Sequence, residues 1–236
     1  MKVMTFNIQH GRNFLTGKID LSAMANEIKK CGGQIVCMNE VYGKGPGQAF
    51  VGQPHVIAEE LGYRGYFAKA IWLHRSGPYG NGFVSAFPVR KARTVRVPTV
   101  PRNHPGYFED RCAFCAQIST DEGMLTFIGC HFGLQVEEQI ECVKTVCSLI
   151  DASPYPVVLA GDFNVEPDDK VLLPIRERLK DTADLPGGNA LTFPSDKPIK
   201  KIDYIFVSNG IRVESVTVPG DIVSDHLPIV AEIHLN

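Results

Sequence analysis

The stretch that decides the fold is "VVLAGDFNVEP", residues 157–167. Residues 157–160 form an apolar run typical of a buried strand, and Gly161, Asp162 and Asn164 follow it. Side chains two residues apart in an extended segment share one face, so Asp162 and Asn164 can point together at one object. Asp, Asn and Gly are also common in turns, and on this stretch alone a turn is the favoured interpretation. The rest of the chain favours a functional site.

The composition is that of an ordinary globular protein. The chain has 236 residues, of which 44% are apolar and 21% are charged. A chain of this length can bury a large core, so we expect one domain over residues 1–236, with two small domains as the alternative. No run of about 18 apolar residues is present, and the N-terminus lacks the features of a signal peptide. We therefore expect a cytoplasmic monomer without a membrane span, unless a leader has been removed.

The charge balance argues against binding to nucleic acid through phosphate neutralisation alone. Lys and Arg number 24 against 26 Asp and Glu, for a formal net charge of −2. Proteins that bind nucleic acid in this way usually carry a basic surplus. The densest basic stretch, residues 89–97, favours a solvated strand. A phosphate-bearing substrate is still allowed, because a bound metal can supply positive charge.

The seven cysteines do not suggest a disulfide framework or a zinc site. Their number is odd, and the C-x-x-C match at residues 112–115 lies in a predicted strand. Residues three apart in a strand point to opposite faces, so this pair cannot act together. We interpret the cysteines as reduced and mostly buried.

The order of elements predicts an α+β fold. Many strand-like runs alternate with a few helical segments, which favours two packed sheets flanked by helices. Helices are expected at residues 20–33, 55–62, 135–152 and 168–181, the last of them interrupted or started late by Pro174.

Polar residues stand at the ends of several predicted strands, where a core does not need them. The set consists of Asn7, Glu40, His131, Asp162, Asn164, Asp203, Asp225 and His226. An ionised Asp203 would be costly to bury without a partner, and His226 is a candidate for that partner. Oxygen-rich sets suit hard cations such as Mg²⁺ or Mn²⁺, whereas no Cys/His cluster typical of zinc is present.

Eight ordered blocks of sequence resemble the endonuclease/exonuclease/phosphatase superfamily, whose fold is DNase I-like. The blocks are "TFNIQHG", "NE", "YGNGFVSAFP", "EDR", "CHFGL", "GDFNVEP", "KIDYIF" and "SDHLP". They extend from about residue 3 to 230, so the resemblance covers essentially the whole chain. It implies a four-layer αββα sandwich of two packed mixed β-sheets flanked by helices, with the site where the strand ends meet.

The resemblance implies a divalent-metal site. Glu40 matches the family's metal ligand, and Asn7 is expected at the same ion or on the substrate phosphate. Asp225 is expected near the metal or a second cation, although a simple turn residue is the alternative. Whether one or two ions of Mg²⁺ or Mn²⁺ bind is left open.

The resemblance also implies catalytic roles. Asp162 matches the residue that orients or deprotonates the attacking water, and Asn164 the residue that positions it. Asp203 and His226 match a carboxylate–imidazole pair that stabilises charge on a phosphoryl oxygen. His131 is expected to be the general acid, although a lone His is often structural.

Three further residues are expected to line the site or bind phosphate. Tyr79 and Asn81 match lining residues, although turn chemistry alone explains the Y-G-N-G stretch. Arg111 is expected to pair with Glu109 or another carboxylate and so support the site.

The predicted activity is metal-dependent hydrolysis of a small or lipid-derived phosphodiester by in-line attack of water. The alternatives are a nuclease acting on DNA or RNA, a phosphomonoesterase and a binding module without catalysis. Substrate specificity is expected to depend on residues 43–54, 71–80 and 97–110. Within them, Trp72, Tyr107 and Phe108 could stack on a base, lie against a lipid or simply pack.

Overall fold

The computed structural model describes residues 1–45, 51–74, 76–184 and 190–236. The predicted specificity segments 43–54 and 71–80 therefore extend partly outside the described residues. Within the described part, the strands are β1 Lys2–Asn7, β2 Ile35–Tyr42, β3 Arg64–Leu73, β4 Gly77–Ser85, β5 Val89–Arg96, β6 Cys112–Thr120, β7 Gly123–His131, β8 Val157–Asp162, β9 Lys180–Asp181, β10 Asp203–Val207, β11 Ile211–Thr217 and β12 Ile229–Leu235. The α-helices there are α1 Leu21–Cys31, α2 Gln53–Leu61, α3 Val136–Asp151 and α4 Leu173–Arg176.

The strands form two mixed sheets of six. Their orders are β11-β12-β1-β2-β4-β3 and β5-β6-β7-β8-β10-β9. One neighbouring pair near the middle of each sheet, β1 with β2 and β7 with β8, is parallel, and α1 or α3 makes the crossover between its strands. Parallel strands end at the same edge of their sheet, so β1 ends beside β2 and β7 ends beside β8. The two sheets pack face to face, and this packing brings the two pairs of ends together.

Helix α1 shows why the local sequence folds as it does. The Asp20 side chain accepts a hydrogen bond from the backbone N–H of Ala23 at 2.9 Å, which satisfies a donor at the helix start. Gly32 ends the helix in the left-handed conformation, with φ of 73°. Met24 and Ile28 face inward and pack under the first sheet. The helix predicted at residues 20–33 is confirmed.

Three apolar layers hold the sandwich together. The central layer lies between the sheets, where the ring of Phe83 lies 5.0 Å from that of Phe114 and 6.0 Å from that of Phe127. A second layer lies between α1, α2 and the first sheet, and a third between α3 and the second sheet. The order helix, sheet, sheet, helix confirms the predicted four-layer fold.

The helix predicted at residues 168–181 starts late, as expected from Pro174, but is much shorter than the predicted range. A 3-10 turn at Lys170–Leu172 leads into α4, which has only four residues. Pro174 cannot donate a backbone hydrogen bond to the preceding turn, so a continuous α-helix through this position is unfavourable. The chain then enters β9 at Lys180.

Two predictions about the cysteines and the basic stretch agree with the structure. All seven cysteines are free, and β5, which carries the basic stretch, is a largely solvated edge strand. Among the described residues, no helix is both long enough and apolar enough to cross a bilayer.

Replacing Gly161 with Ala is expected to destabilise the fold, because Gly161 has φ of 150° and an added Cβ would lie 1.9 Å from the Cys130 carbonyl oxygen. Unfolding in urea should show a loss of about 3 kcal/mol or more. The matched control is Gly220→Ala, since no atom lies within 4 Å of a Cβ there. Equal stability of the two variants would contradict the proposed close approach of β7 and β8.

Candidate active site

The polar strand ends gather around one cavity of about 300 Å³. The residues predicted for the site that line it are Glu40, Tyr79, Arg111, His131, Asp162, Asn164, Asp225 and His226. Three further predicted residues, Asn7, Asn81 and Asp203, are buried and hydrogen-bond to lining residues or to their supports. Residues far apart in the chain meet here because β1, β2, β7 and β8 end at this edge.

Asp162 lies at the centre of the cavity wall and is only 1% exposed. Its carboxylate accepts hydrogen bonds from Asn7 Nδ2 at 3.1 Å and from the backbone N–H of Asn164 at 2.9 Å. Burial and the negative charge of neighbouring Asp203 raise the pKa of Asp162. A carboxylate with a raised pKa is a stronger base than an exposed one.

Asp203 and His226 form a buried ion pair behind Asp162. His226 Nδ1 lies 2.8 Å from Asp203 Oδ2, which also accepts a hydrogen bond from Thr192 Oγ1 at 2.6 Å. Burial alone would lower the pKa of His226, but Asp203 and Asp162 outweigh it and raise that pKa to about 10. The ring is therefore an imidazolium at neutral pH, and its Nε2 lies 3.7 Å from Asp162 Oδ2.

Glu40 stands at a bulge in β2, where its φ is 58° and the register with β4 shifts. Its carboxylate accepts hydrogen bonds from Tyr79 Oη at 2.9 Å and Asn7 Nδ2 at 3.1 Å. Asn7 thus presents its amide nitrogen to both Glu40 and Asp162, while its Oδ1 accepts from the backbone N–H of Gln9. In this arrangement Asn7 connects two carboxylates through its amide nitrogen, and its Oδ1 keeps one lone pair that is not used by the Gln9 backbone.

The charges that line the cavity fit a divalent cation. The carboxylates are Glu40, Glu109, Asp162 and Asp225, and the cations are Arg111 and His226. Because His226 is already paired with Asp203, the four lining carboxylates, when ionised, are left with Arg111 as their cation, and such a pocket would repel a phosphate group. Burial and Glu40 raise the pKa of Asp225, which shows that these two carboxylates sense each other. Partly exposed carboxylates with room for water are the ligands that Mg²⁺ prefers.

A second group of potential metal ligands is less suitable. Asp162, Asp203 and His226 each place one ligand atom within 4.8 Å of the others. All three residues are buried, and Nδ1 of the protonated His226 ring is engaged by Asp203. An imidazolium has no lone pair to give a metal, so we favour Glu40 and Asp225 as the cation site.

Both ring nitrogens of His131 lie near side-chain nitrogens, and a neutral ring can accept a hydrogen bond at only one of its own two. Arg111 Nη1 lies 3.3 Å from Nδ1, and Asn164 Nδ2 lies 3.1 Å from Nε2. Burial, Arg111 and His226 hold the pKa of His131 well below its ordinary value, so the ring is neutral. A neutral imidazole is a weaker proton donor than an imidazolium, and the general-acid role of His131 stays a prediction. Arg111 itself pairs with Glu109 at 2.8 Å.

Asn39, which was not among the predicted site residues, connects the two sheets beneath the site. Its Nδ2 donates to the Cys130 carbonyl oxygen and to Asn81 Oδ1, each at 2.9 Å, and its Oδ1 accepts from the backbone N–H of Asp162 at 2.9 Å. Asn81 in turn donates to the Cys112 carbonyl oxygen and is buried. Asn81 therefore lies behind the cavity and supports it. The sequence feature that could have identified Asn39 is its position inside a buried strand, directly before Glu40.

Gln9 is a second residue that the sequence prediction missed. Its Nε2 donates to Asp225 Oδ2 at 2.8 Å, which fixes one carboxylate of the proposed cation site. Gln9 and His10 both have positive φ, so the chain after β1 turns sharply towards the cavity. Nothing in the local sequence pairs Gln9 with a residue more than 200 positions away.

Comparison with known proteins identifies relatives over the full length of the chain. A model of the endonuclease/exonuclease/phosphatase family matches residues 4–226. The uncharacterized protein YbhP of Escherichia coli strain K12 is 24% identical over an alignment of 256 positions. The alignment covers 99% of this chain and 96% of YbhP.

Solved structures with this fold include an endonuclease/exonuclease/phosphatase from Beutenbergia cavernae DSM 12333. Its TM-score is 0.81 at 24% identity, over 100% of this chain and 72% of that one. A mannosyl-6-phosphatase of Bacteroides thetaiotaomicron has a TM-score of 0.77 at 18% identity, over 99% of each chain. At these identities the likeness shows a shared fold.

The His226 pKa is expected to depend on Asp203. In protein free of divalent cations, NMR titration of the His226 ring should give a pKa of about 10. Asp203→Asn should lower that pKa by about 1–3 units, because it removes the adjacent negative charge. Thr192→Val is the control, since it removes the hydrogen bond to Asp203 and keeps the charge. A pKa below 7 in the unmodified protein, or an equal pKa in Asp203→Asn, would contradict the ion pair.

Proposed function

Because this chain belongs to the endonuclease/exonuclease/phosphatase family, we propose that it is a divalent-metal-dependent phosphodiesterase. Its substrate would be a small or lipid-derived phosphodiester, hydrolysed by in-line attack of a water molecule. The proposal rests mainly on one observation. Asp162, a buried carboxylate with a raised pKa, and a protonated His226 line the same cavity as Glu40.

Asp162 is proposed to accept the proton of the attacking water. The hydrogen bonds from Asn7 and from the Asn164 backbone hold its carboxylate in one orientation, which reduces the reorganisation needed in the reaction. Its raised pKa increases its affinity for that proton.

His226 is proposed to stabilise the charge that develops on a phosphoryl oxygen. The ring is held by Asp203 and by packing against Phe193, with ring centroids 4.8 Å apart, so its Nε2–H has a fixed direction. Fixed donors in a water-poor site are the most effective way to stabilise such charge. Asn164 is proposed to position the attacking water, and Arg111 to hold His131 and Glu109 in the cavity wall.

Glu40 and Asp225 are proposed to hold the divalent cation, Mg²⁺ or Mn²⁺. When bound, the cation would neutralise negative charge on the substrate phosphate and polarise the phosphorus towards attack. Tyr79, Asn7 and Gln9 orient the two carboxylates through hydrogen bonds. Asn7 is thus proposed as a positioning residue, and its role as a metal ligand stays a prediction.

A phosphomonoesterase is the second candidate. It is favoured by the similarity in fold to a protein named mannosyl-6-phosphatase. A nuclease acting on long nucleic acid is less favoured, because the chain carries a net charge of −2 and the cavity itself is acidic.

Hydrolysis of two chromogenic esters tests the proposal. With Mg²⁺ or Mn²⁺ the protein should release nitrophenol from bis-p-nitrophenyl phosphate faster than from p-nitrophenyl phosphate, and removal of the cation with EDTA should stop the reaction. Asp162→Asn and His226→Gln should each reduce turnover by at least about 10²-fold, because each removes a group that acts on the reacting phosphate.

Matched controls are Asp168→Asn and His55→Gln, which make the same replacements at exposed positions outside the cavity. Preference for the monoester would favour the phosphatase. Turnover in EDTA, or near-normal turnover of Asp162→Asn and His226→Gln, would reject the mechanism.

A further inference from the structure

A second cleft of about 480 Å³ opens directly beside the catalytic cavity. Its walls include Lys69 and Trp72 from β3, Arg96 from the end of β5, and Arg102 and Tyr107 from the segment that follows. Tyr107 and Glu109 line both the cavity and the cleft, so the two adjoin. Each volume lies in the range typical of sites for small molecules.

The cleft carries positive charge that its own acidic residues do not balance. Glu109 is paired with Arg111 and Asp110 with Arg102, each at 2.8 Å. Lys69 and Arg96 are exposed, and neither makes an ion pair with any described residue. Their two positive charges therefore face an open cleft, beside a cavity whose own lining is acidic.

An exposed aromatic surface accompanies these cations. Trp72, the single tryptophan of the chain, is 59% exposed, and Tyr107 is 58% exposed. In the pairing of β3 with β4, Ile71 lies opposite Tyr79, whose hydroxyl donates to Glu40, and Trp72 lies opposite Pro78. Trp72 is thus one residue beyond the point where β3 meets the site, and paired strands lie only about 4.8 Å apart.

We propose that this cleft is a subsite for a second anionic group of the substrate, a proposal that rests on the phosphoester hydrolase function above. Lys69 and Arg96 bind the second anion, and the apolar or planar part of the substrate lies against Trp72. The reacting phosphoester occupies the cavity beside Glu40 and Asp162. The preferred substrates are therefore small phosphoesters that carry a further phosphate, over otherwise identical esters that lack it.

Binding can be measured without turnover, because Trp72 reports on the cleft through its fluorescence. The Asp162→Asn variant, whose turnover should be at least about 10²-fold lower, is titrated in the presence of Mg²⁺ with two matched pairs of probes: thymidylyl-thymidine with and without a 5′-phosphate, and glycerophosphoinositol with and without a 4-phosphate. Within at least one pair, the probe with the extra phosphate should bind about 10-fold more tightly, as expected for one charged hydrogen-bonding contact. The first pair tests a nucleotide source of the anion, and the second a lipid-headgroup source.

Variants assign the preference to the cleft. Lys69→Gln and Arg96→Gln should each reduce the ratio of affinities within the preferred pair, and the double variant should abolish it. Arg93→Gln is the control, because Arg93 lies three residues before Arg96 on β5 and lines a different cavity. The Trp72→Phe variant, measured by isothermal titration calorimetry, should bind the probe with the extra phosphate more weakly. The ratio of affinities within that pair should be unchanged.

The result that overturns the subsite is equal affinity within both pairs, or an equal loss of preference in Arg93→Gln and Arg96→Gln. This outcome is distinct from failure of the proposed function, which is measured as metal-dependent release of nitrophenol. A protein that hydrolyses the diester but does not discriminate within the pairs has the activity without the subsite. Discrimination without hydrolysis would retain the subsite and reject the activity.

Discussion

The structure depends on hydrogen bonds that cross between the two sheets at Asp162. The Asn39 side chain on β2 accepts a hydrogen bond from the backbone N–H of Asp162. Asn7 on β1 donates a hydrogen bond to the Asp162 carboxylate. These groups are buried beside an apolar inter-sheet core, where an unpaired polar group is costly. Polar groups of one sheet therefore form their hydrogen bonds with the other sheet only when the ends of β1 and β2 lie next to the end of β8. The same contacts that fix the sandwich also orient the proposed catalytic base.

Opposite charges are kept apart across this face of the molecule. The proposed active-site cavity is acidic and contains an imidazolium, His226, held between two aspartates, whereas the adjacent cleft presents the unbalanced cations Lys69 and Arg96. A divalent cation suits the first environment and an anionic group the second. A chain with a net charge of only −2 can in this way accommodate a highly charged small molecule without a basic surface.

Sequence reasoning reached the fold and the list of polar residues, but not how those residues contact each other. Asp203 was predicted to need His226 because a lone buried carboxylate is costly, and the structure brings the two together. The amide orientation of Asn7 and the donors around His131 depend on residues from distant strands, which no local pattern encodes. Asn39 was missed because one Asn in an apolar strand does not reveal what it bonds to across the sandwich.

We propose that residues distant in the sequence form a cation site at Glu40 beside a catalytic Asp162. The most direct test is a crystal structure of the protein grown with Mn²⁺, with the ion located by its anomalous scattering. The account predicts an anomalous peak within about 2.5 Å of a Glu40 carboxylate oxygen, in the cavity shared with Asp225. A crystal saturated with Mn²⁺ that shows no peak at Glu40, or a peak only between Asp203 and His226, would contradict it.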